Sequence, residues 1–576
     1  MHATVRGNAG FLAGLHSFKV PIFRTIITAL MLAALAACGG GGGGGSGSGS
    51  GSGGIDSGGG GDGGGGGGSG GNGSGGGDGG SGSGGGDGGG DGGSDGGSGS
   101  GGDGGDDGGS GSGGDGGGGS GPPPAAENQA PTADAGADQS IAWPRASVQL
   151  SGAGTDDGLP DGSSLSYAWS GPAGVTFGDP SGRVTEATFP GEGTYELILT
   201  VSDGALSTTD RLRAIVLGTV YPAGDTNVDE LHGWEKVDAA DVGMDVAKLV
   251  EAQAYAESGE GAGGSGLIVR GGRLVHAWGD IDWKYDVKST TKSIGGMMLG
   301  LALQDNLLAI TDTARMRLPT LGDVPPGNNP VWLDQITILQ LATHTAGFRK
   351  SAGDGVLDFE PGTTWVYSDA GLNGLADVLT QLYQEDLREL LFDRILTRIG
   401  LTKNDNDMVW REHAFGDSQL GGVTRRELAS GMQINTNGMA RVGLLFLRSG
   451  MWDNNERLLP QSFIDLVSTP RPEIETTVNP EDGPDGRYPN ATRNYGVLWW
   501  TNTTGELQGV PTDAYWSWGL GESLIVVIPS LDVVIARAGP QSVTVSPGRV
   551  WNDNDWDGRY EVLEGFVRPV VESVAP

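Results

Sequence analysis

Ser289-Thr290-Thr291-Lys292-Ser293-Ile294-Gly295-Gly296-Met297-Met298-Leu299-Gly300-Leu301-Ala302-Leu303 passes from hydroxyl-bearing residues into small and apolar ones. The pattern predicts a helix over 289–304. Residues three apart share a helix face, so Lys292 points at the hydroxyl of Ser289. A serine hydroxyl is a weak nucleophile until a neighbouring group takes its proton, and a lysine kept neutral by desolvation is one such group. The helix N-terminus adds backbone N–H groups, that of Ser289 among them, facing a developing oxyanion. Ser-x-x-Lys arises about once or twice at random in a chain of this length, and an N-capping serine beside a solvated lysine spells the same letters. Here Ser289 and Lys292 are its only occurrence.

Outward from this helix, over residues 234–576, the pattern is mixed. Residues 241–258 read as an amphipathic helix, and 266–270 with 273–278 as a hairpin turned by Gly271-Gly272. Helical stretches follow near 371–398, 437–449 and 461–468. Strands return at 495–501, 523–528 and 533–537, and a helix over 559–573 closes the chain. Early strands, then helices, then late strands predict an α/β (α+β) domain whose antiparallel sheet draws on both ends, with a helical subdomain between.

Two further segments lie downstream of Lys292: Leu341-Ala342-Thr343-His344-Thr345-Ala346-Gly347, then Pro361-Gly362-Thr363-Thr364-Trp365-Val366-Tyr367-Ser368-Asp369-Ala370-Gly371. With Ser-x-x-Lys, and in this order, they resemble the serine β-lactamase/penicillin-binding-protein superfamily. Within it the chain is most similar to the class C-related esterases and the 6-aminohexanoate-dimer hydrolase group, over residues 241–539. The resemblance implies a β-lactamase-like fold and makes Tyr367 the general base, as a phenolate or as a phenol relaying a proton. A free tyrosine has a pKa near 10, so ionisation at neutral pH needs about three units, roughly 4 kcal/mol. A Lys292 ammonium beside it is the expected source, and the two form a coupled pair. Asp369 stands where the family usually has Asn, whereas Tyr488-Pro489-Asn490 matches Tyr-x-Asn literally. Family order favours Tyr367 over Tyr488, which sits in a polar loop. His344 belongs to a structural segment in the family. The six histidines have no metal-binding spacing, so neither metal nor cofactor is expected.

The family's third element is a pocket-lining strand with Lys-Thr-Gly or His-x-Gly. The corresponding stretch is Tyr515-Trp516-Ser517-Trp518-Gly519-Leu520-Gly521-Glu522-Ser523, with Ser517-Trp518-Gly519 in place of the triplet. The N–H of Leu520 is then the second oxyanion donor. This edge carries no cation to hold the carboxylate of a penicillin, which favours a small uncharged ester or amide as substrate. Two other readings stay open: a β-lactamase or D-alanyl-D-alanine carboxypeptidase-type enzyme, and a catalytically silent surface-binding protein. Glu522 either meets a substrate amine or is a solvated loop residue.

Residues 128–218 precede this domain, and in them apolar residues alternate between turn clusters, as in Val148-Gln149-Leu150 and Tyr195-Glu196-Leu197-Ile198-Leu199-Thr200-Val201. Such spacing predicts an all-β sandwich. Asn128-Gln129-Ala130-Pro131, Tyr167-Ala168-Trp169 and Val201-Ser202-Asp203-Gly204 resemble PKD-type, immunoglobulin-like modules of bacterial surface proteins. The resemblance implies a spacer, with cell-surface glycan contact as the alternative.

About half of the 113 glycines, 56 of them, fall between Gly39 and Gly121. That tract, within 38–127, has almost nothing apolar to bury and reads as a disordered tether. Before it, Arg6, Lys19 and Arg24 precede a largely apolar run over 26–37 that ends Leu35-Ala36-Ala37-Cys38. A charged start, a short apolar stretch and small residues at its end predict an export signal over 1–37. Leu-Ala-Ala-Cys resembles the lipobox of bacterial lipoproteins, which implies lipidation of Cys38 and a membrane anchor, at the outer membrane or cell surface or facing the periplasm. As the sole cysteine, Cys38 leaves no intrachain disulfide. The net charge of −36, without any basic patch, argues against nucleic acid as a partner.

Overall fold

Every side chain of β8 (Ser265–Arg270) is buried, and Gly271 and Gly272, at φ 63° and 77°, turn it into an antiparallel hairpin with β9 (Arg273–Trp278). Positive φ at both turn residues is what a tight hairpin needs and what glycine supplies. The computed structural model containing this hairpin describes residues 126–143, 145–224, 232–257, 264–350, 355–403, 407–414, 416–453, 456–480, 488–539 and 560–574. The expected export signal, Cys38 and nearly all of the expected tether lie outside them. Among the described residues no helix is long and apolar enough to cross a membrane.

β8 and β9 complete a six-stranded antiparallel sheet with β10 (Trp500–Thr501), β11 (Tyr515–Gly519), β12 (Ser523–Ile528) and β13 (Val533–Ala538). The order is β10-β11-β12-β13-β8-β9, so strands from the two ends of the domain meet where β13 pairs with β8. Successive side chains alternate between two buried faces. Leu267, Val269, Ile525, Val527, Val534 and Ala536 join one core with the central helices. Ile268, Val526, Ile528 and Ile535 join another, with α1 (Val246–Glu257) and α6 (Tyr560–Glu572). Sandwiching the sheet this way makes its strands read as apolar runs.

Between β9 and β10 lie α2 (Thr290–Gly295), α3 (Met297–Gln304), α4 (Asp369–Tyr383) and α5 (Thr436–Leu447), with shorter helices and ladders among them. The predicted helix over 371–398 is interrupted. It stops at Gln384, whose φ is 53°, and restarts at Leu387 under a cap from the Asp386 carboxylate. The predicted strand over 495–501 shrinks to Trp500–Thr501, because Leu498 is left-handed (φ 64°) and Gly496 N–H closes a turn onto the Trp499 carbonyl.

Ahead of the sheet stands the sandwich. Its strands are β1 (Gln139–Ala142), β2 (Ser147–Ser151), β3 (Ser166–Ser170), β4 (Thr176–Phe177), β5 (Val184–Thr188), β6 (Gly193–Ser202) and β7 (Ser207–Leu217). They form two sheets, β1-β7-β6-β3 and β2-β5-β4, around Val148, Leu150, Trp169, Leu197, Leu199 and Val201. The sandwich is seated on the larger domain. Ile215 and Leu217, at the end of β7, belong to the same core cluster as Ile268 and Val242. The buried Arg270 donates to Ser140 Oγ (2.7 Å) as well as to the carbonyls of Val242 (2.6 Å) and Gly243 (2.9 Å).

Candidate active site

Ser289 sits where the chain bends into α2. Lys288 before it adopts a left-handed φ of 48°, held by a bond from its N–H to the Asp286 carboxylate (3.2 Å). A non-glycine residue in that region is strained and is kept there only by its surroundings. The bend leaves Ser289 half-buried while Thr290 through Gly295 are buried. Lys292, only 1% exposed, donates from Nζ to Ser289 Oγ (2.9 Å), Asp369 Oδ1 (2.9 Å) and the Ala429 carbonyl (2.6 Å). An ammonium has three protons and no lone pair, and all three are directed at acceptors, one of them a carboxylate. The three contacts suit a charged donor, and one partner is the carboxylate of an ion pair.

Tyr367 is buried beside Ser289, its phenol close enough to feel the serine hydroxyl. Burial raises the phenol pKa well above its ordinary value. The Ser289 hydroxyl opposes this only in part, and the Asp369 charge raises it further. This corrects the expectation that Lys292 would draw the phenol toward ionisation. The Lys292 ammonium, 4.8 Å from the ring centroid, is already paired with Asp369. Asp369 in place of Asn is therefore no neutral exchange.

The ring of Tyr367 is held in an aromatic cluster. Tyr488 stacks on it at 4.8 Å, His344 lies at 4.4 Å and Trp500 at 6.2 Å. Tyr488, set aside on the sequence as a loop residue, is thus buried within the site as the neighbour of Tyr367. His344 accepts the Ser368 N–H at Nδ1 (3.0 Å), so its proton is on Nε2, which faces the Tyr495 hydroxyl (3.1 Å). Burial, then the charges of Lys292 and Lys350, hold its pKa well below the usual value. With both nitrogens engaged, the neutral ring buckles two loops together. Lys350 stands with Nζ 4.8 Å from the Tyr367 centroid, a cation at the rim that sequence reasoning did not single out.

The far wall is β11. Gly519 approaches the start of α2 so closely that a Cβ there would collide with the Val287 carbonyl and come within 3.1 Å of Thr290 N. Leu520 follows directly, at the turn that ends this strand. Arg537, buried, supports that turn through the carbonyls of Gly521 (2.8 Å) and Glu522 (2.7 Å). Trp518 Nε1 donates to Glu522 Oε2 (3.2 Å), so Glu522 serves its own hairpin. Ser517 was expected in the pocket and is not there. Its hydroxyl is fully buried, hydrogen-bonded to Thr290 Oγ1 (3.1 Å) and accepting the Ile525 N–H (2.9 Å), because a short polar side chain satisfies backbone more readily than it reaches across a cleft.

One support of the site carries almost no signal in a single sequence. Asn373 Oδ1 accepts the N–H groups of Leu428 (3.1 Å) and Ala429 (3.2 Å), which fixes the carbonyl that Lys292 uses. Asn373 lies one helical turn beyond Asp369, a spacing that hints at a shared face, but a backbone carbonyl from a distant loop leaves no mark in the letters.

A family model described as Beta-lactamase matches residues 249–557, more than half of the chain. The chain belongs to the beta-lactamase family. That family is one of serine hydrolases, and the beta-lactamase-family domain follows a segment, residues 135–216, that matches a family model for one kind of PKD domain. Similar solved structures include a beta-lactamase from Mycobacterium bovis (15% identity, 54% of this chain and 94% of that one, TM-score 0.37). A mutant of simvastatin synthase from Aspergillus terreus is also similar (16% identity, 57% and 98%, TM-score 0.42). So is a penicillin-binding protein homologue from Caulobacter crescentus (12% identity, 56% and 97%, TM-score 0.38). A comparison with curated proteins finds no match.

Proposed function

We propose that this beta-lactamase-family protein is a serine hydrolase that cleaves a small uncharged ester or amide through an acyl-enzyme on Ser289. The observation that carries the reading is Lys292 Nζ 2.9 Å from Ser289 Oγ, with the buried Tyr367 phenol close enough to the same serine to feel its hydroxyl. Ser289 attacks the carbonyl carbon, Lys292 fixes and polarises its oxygen, and Tyr367 takes the proton and delivers it to the leaving group. The N–H groups of Ser289 and Leu520 hold the oxyanion, where one such donor is worth about 10²–10³ in rate. A fluorophosphonate probe should label Ser289, and S289A should lose both label and turnover. No label on folded protein would leave the surface-binding reading standing.

For the substrate, the Ser517-Trp518-Gly519 edge is apolar and offers no cation, which supports an uncharged acyl group. One observation favours the penicillin-recognising alternative: Lys350 at the rim is a charge that a carboxylate would meet. Short alkyl esters and nitrocefin separate the two. Efficient nitrocefin hydrolysis with negligible ester turnover would replace the first reading by the second. We further propose export and anchoring through Cys38. Metabolic labelling with a fatty acid should mark the protein and fail to mark C38A.

A further inference from the structure

We propose that Asp369 commits the site to a relay through a neutral phenol, in which Tyr367 accepts the Ser289 proton and gives up its own in the same step. The inference rests on the hydrolase reading above. Its basis is the geometry around Lys292, whose three donors end on Ser289, Asp369 and Ala429. As an ammonium paired with the Asp369 carboxylate, Lys292 has no lone pair and cannot take the serine proton. The Lys292 bond to Ser289 Oγ occupies an acceptor site on that oxygen and leaves the serine proton free to face Tyr367.

The groups around the phenol decide the rest. His344 contributes a neutral ring, with both nitrogens engaged. Tyr488 and Tyr495 are buried phenols, and Lys350, 4.8 Å from the Tyr367 centroid, is exposed to solvent, which weakens its charge at the phenol without removing it. Lys292 is the buried cation, and Asp369 is its ion-pair partner. The pair presents Tyr367 with almost no net charge to stabilise a phenolate, and burial disfavours one outright. Protons therefore move in concert. The Ser289 O–H breaks as its oxygen bonds to the substrate carbonyl carbon. That proton passes to the Tyr367 oxygen, and the phenol proton passes to the departing alkoxide or amide nitrogen. In deacylation a water molecule takes the place of the leaving group, and the same two transfers run in reverse. No free phenolate is formed and no further reactant is needed.

Replacing Asp369 by Asn removes the charge that balances Lys292. The bare ammonium then lowers the phenol pKa, and a phenolate route opens. The test is the pH profile of kcat/KM on a short alkyl ester, followed by pH-stat on the full chain. The wild type should show no ionisation limb between about pH 7 and 10, and D369N should show an ascending limb there of at least threefold. D369E, which restores the charge, should return the profile toward wild type, and it also guards against D369N failing to fold. An ascending limb in the wild type, or a D369N profile superimposable on it, would overturn the proposal. S289A separates the two levels. Turnover that survives S289A removes the hydrolase reading itself, whereas turnover lost in S289A with unchanged D369N behaviour removes only the role of Asp369.

Discussion

At the scale of single residues the site is a set of hydrogen bonds centred on Lys292 and His344, with Tyr367 between them, and each residue predicts a different failure. Y367F deletes the hydroxyl and keeps the ring among Tyr488, His344 and Trp500. The fold should lose only about 1 kcal/mol, while kcat falls by roughly 10²–10⁴, read from thermal melts and steady-state kinetics. His344 makes a stability prediction with a definite sign. Its folded pKa lies below the unfolded value of about 6.5, so the unfolded chain binds the proton first as pH falls. Its contribution is complete at neutral pH and is lost below about pH 6.5, by up to about 1.4 kcal/mol per unit. Denaturant midpoints of wild type and H344N, an exchange that tolerates the left-handed backbone, should therefore converge on acidification. What could be read beforehand at this scale was the local spacing: Ser289 with Lys292, and Asp369 as a departure from Asn. What could not be read was the charge balance. Lys292 meets Asp369 across 77 positions and Ala429 across 137, and only the fold shows that Asp369, rather than Tyr367, receives the lysine charge.

At the scale of elements, function depends on how closely β11 approaches the start of α2. G519A should force the strand away from Val287 and, on the proposed mechanism, carry the Leu520 N–H out of reach of the oxyanion. A loss of about 10² or more in kcat/KM is expected, with a lowered melting temperature. S517A is the counterpart. It strands the buried Ile525 N–H, at a cost of about 1–3 kcal/mol in stability, and should change kcat/KM far less than G519A. The element pattern itself was legible, because strands buried on both faces read as apolar runs and amphipathic helices repeat with their turn. The failures have local causes. Gln384 and Leu498 adopt left-handed backbones that propensity does not foresee, and these ended a helix and shortened a strand. Tyr488 was misplaced because its loop is polar in sequence, whereas its ring is buried by aromatic neighbours from elsewhere in the chain.

At the scale of the molecule, the sandwich and the beta-lactamase-family domain share a core. Ile215 and Leu217, at the end of a sandwich strand, are buried with residues of the larger domain, and each such side chain contributes about 1.5–3 kcal/mol. A chain beginning at residue 234 should therefore be less stable than the longer one, and aggregation-prone, as checked by thermal melts and size-exclusion chromatography. Full solubility with an unchanged melting temperature would show that the shared core contributes nothing. The domain order was readable from composition and alternation; the seam was not, since nothing near Ser140 announces a bond to Arg270. That bond limits how the protein can be rearranged. A linker-joined module can be traded for another by recombination at its borders, as a cassette. Here a replacement module must also bring a hydroxyl to the Arg270 guanidinium and an apolar strand end to the hairpin, so the two halves are expected to travel through evolution, and through engineering, as one unit.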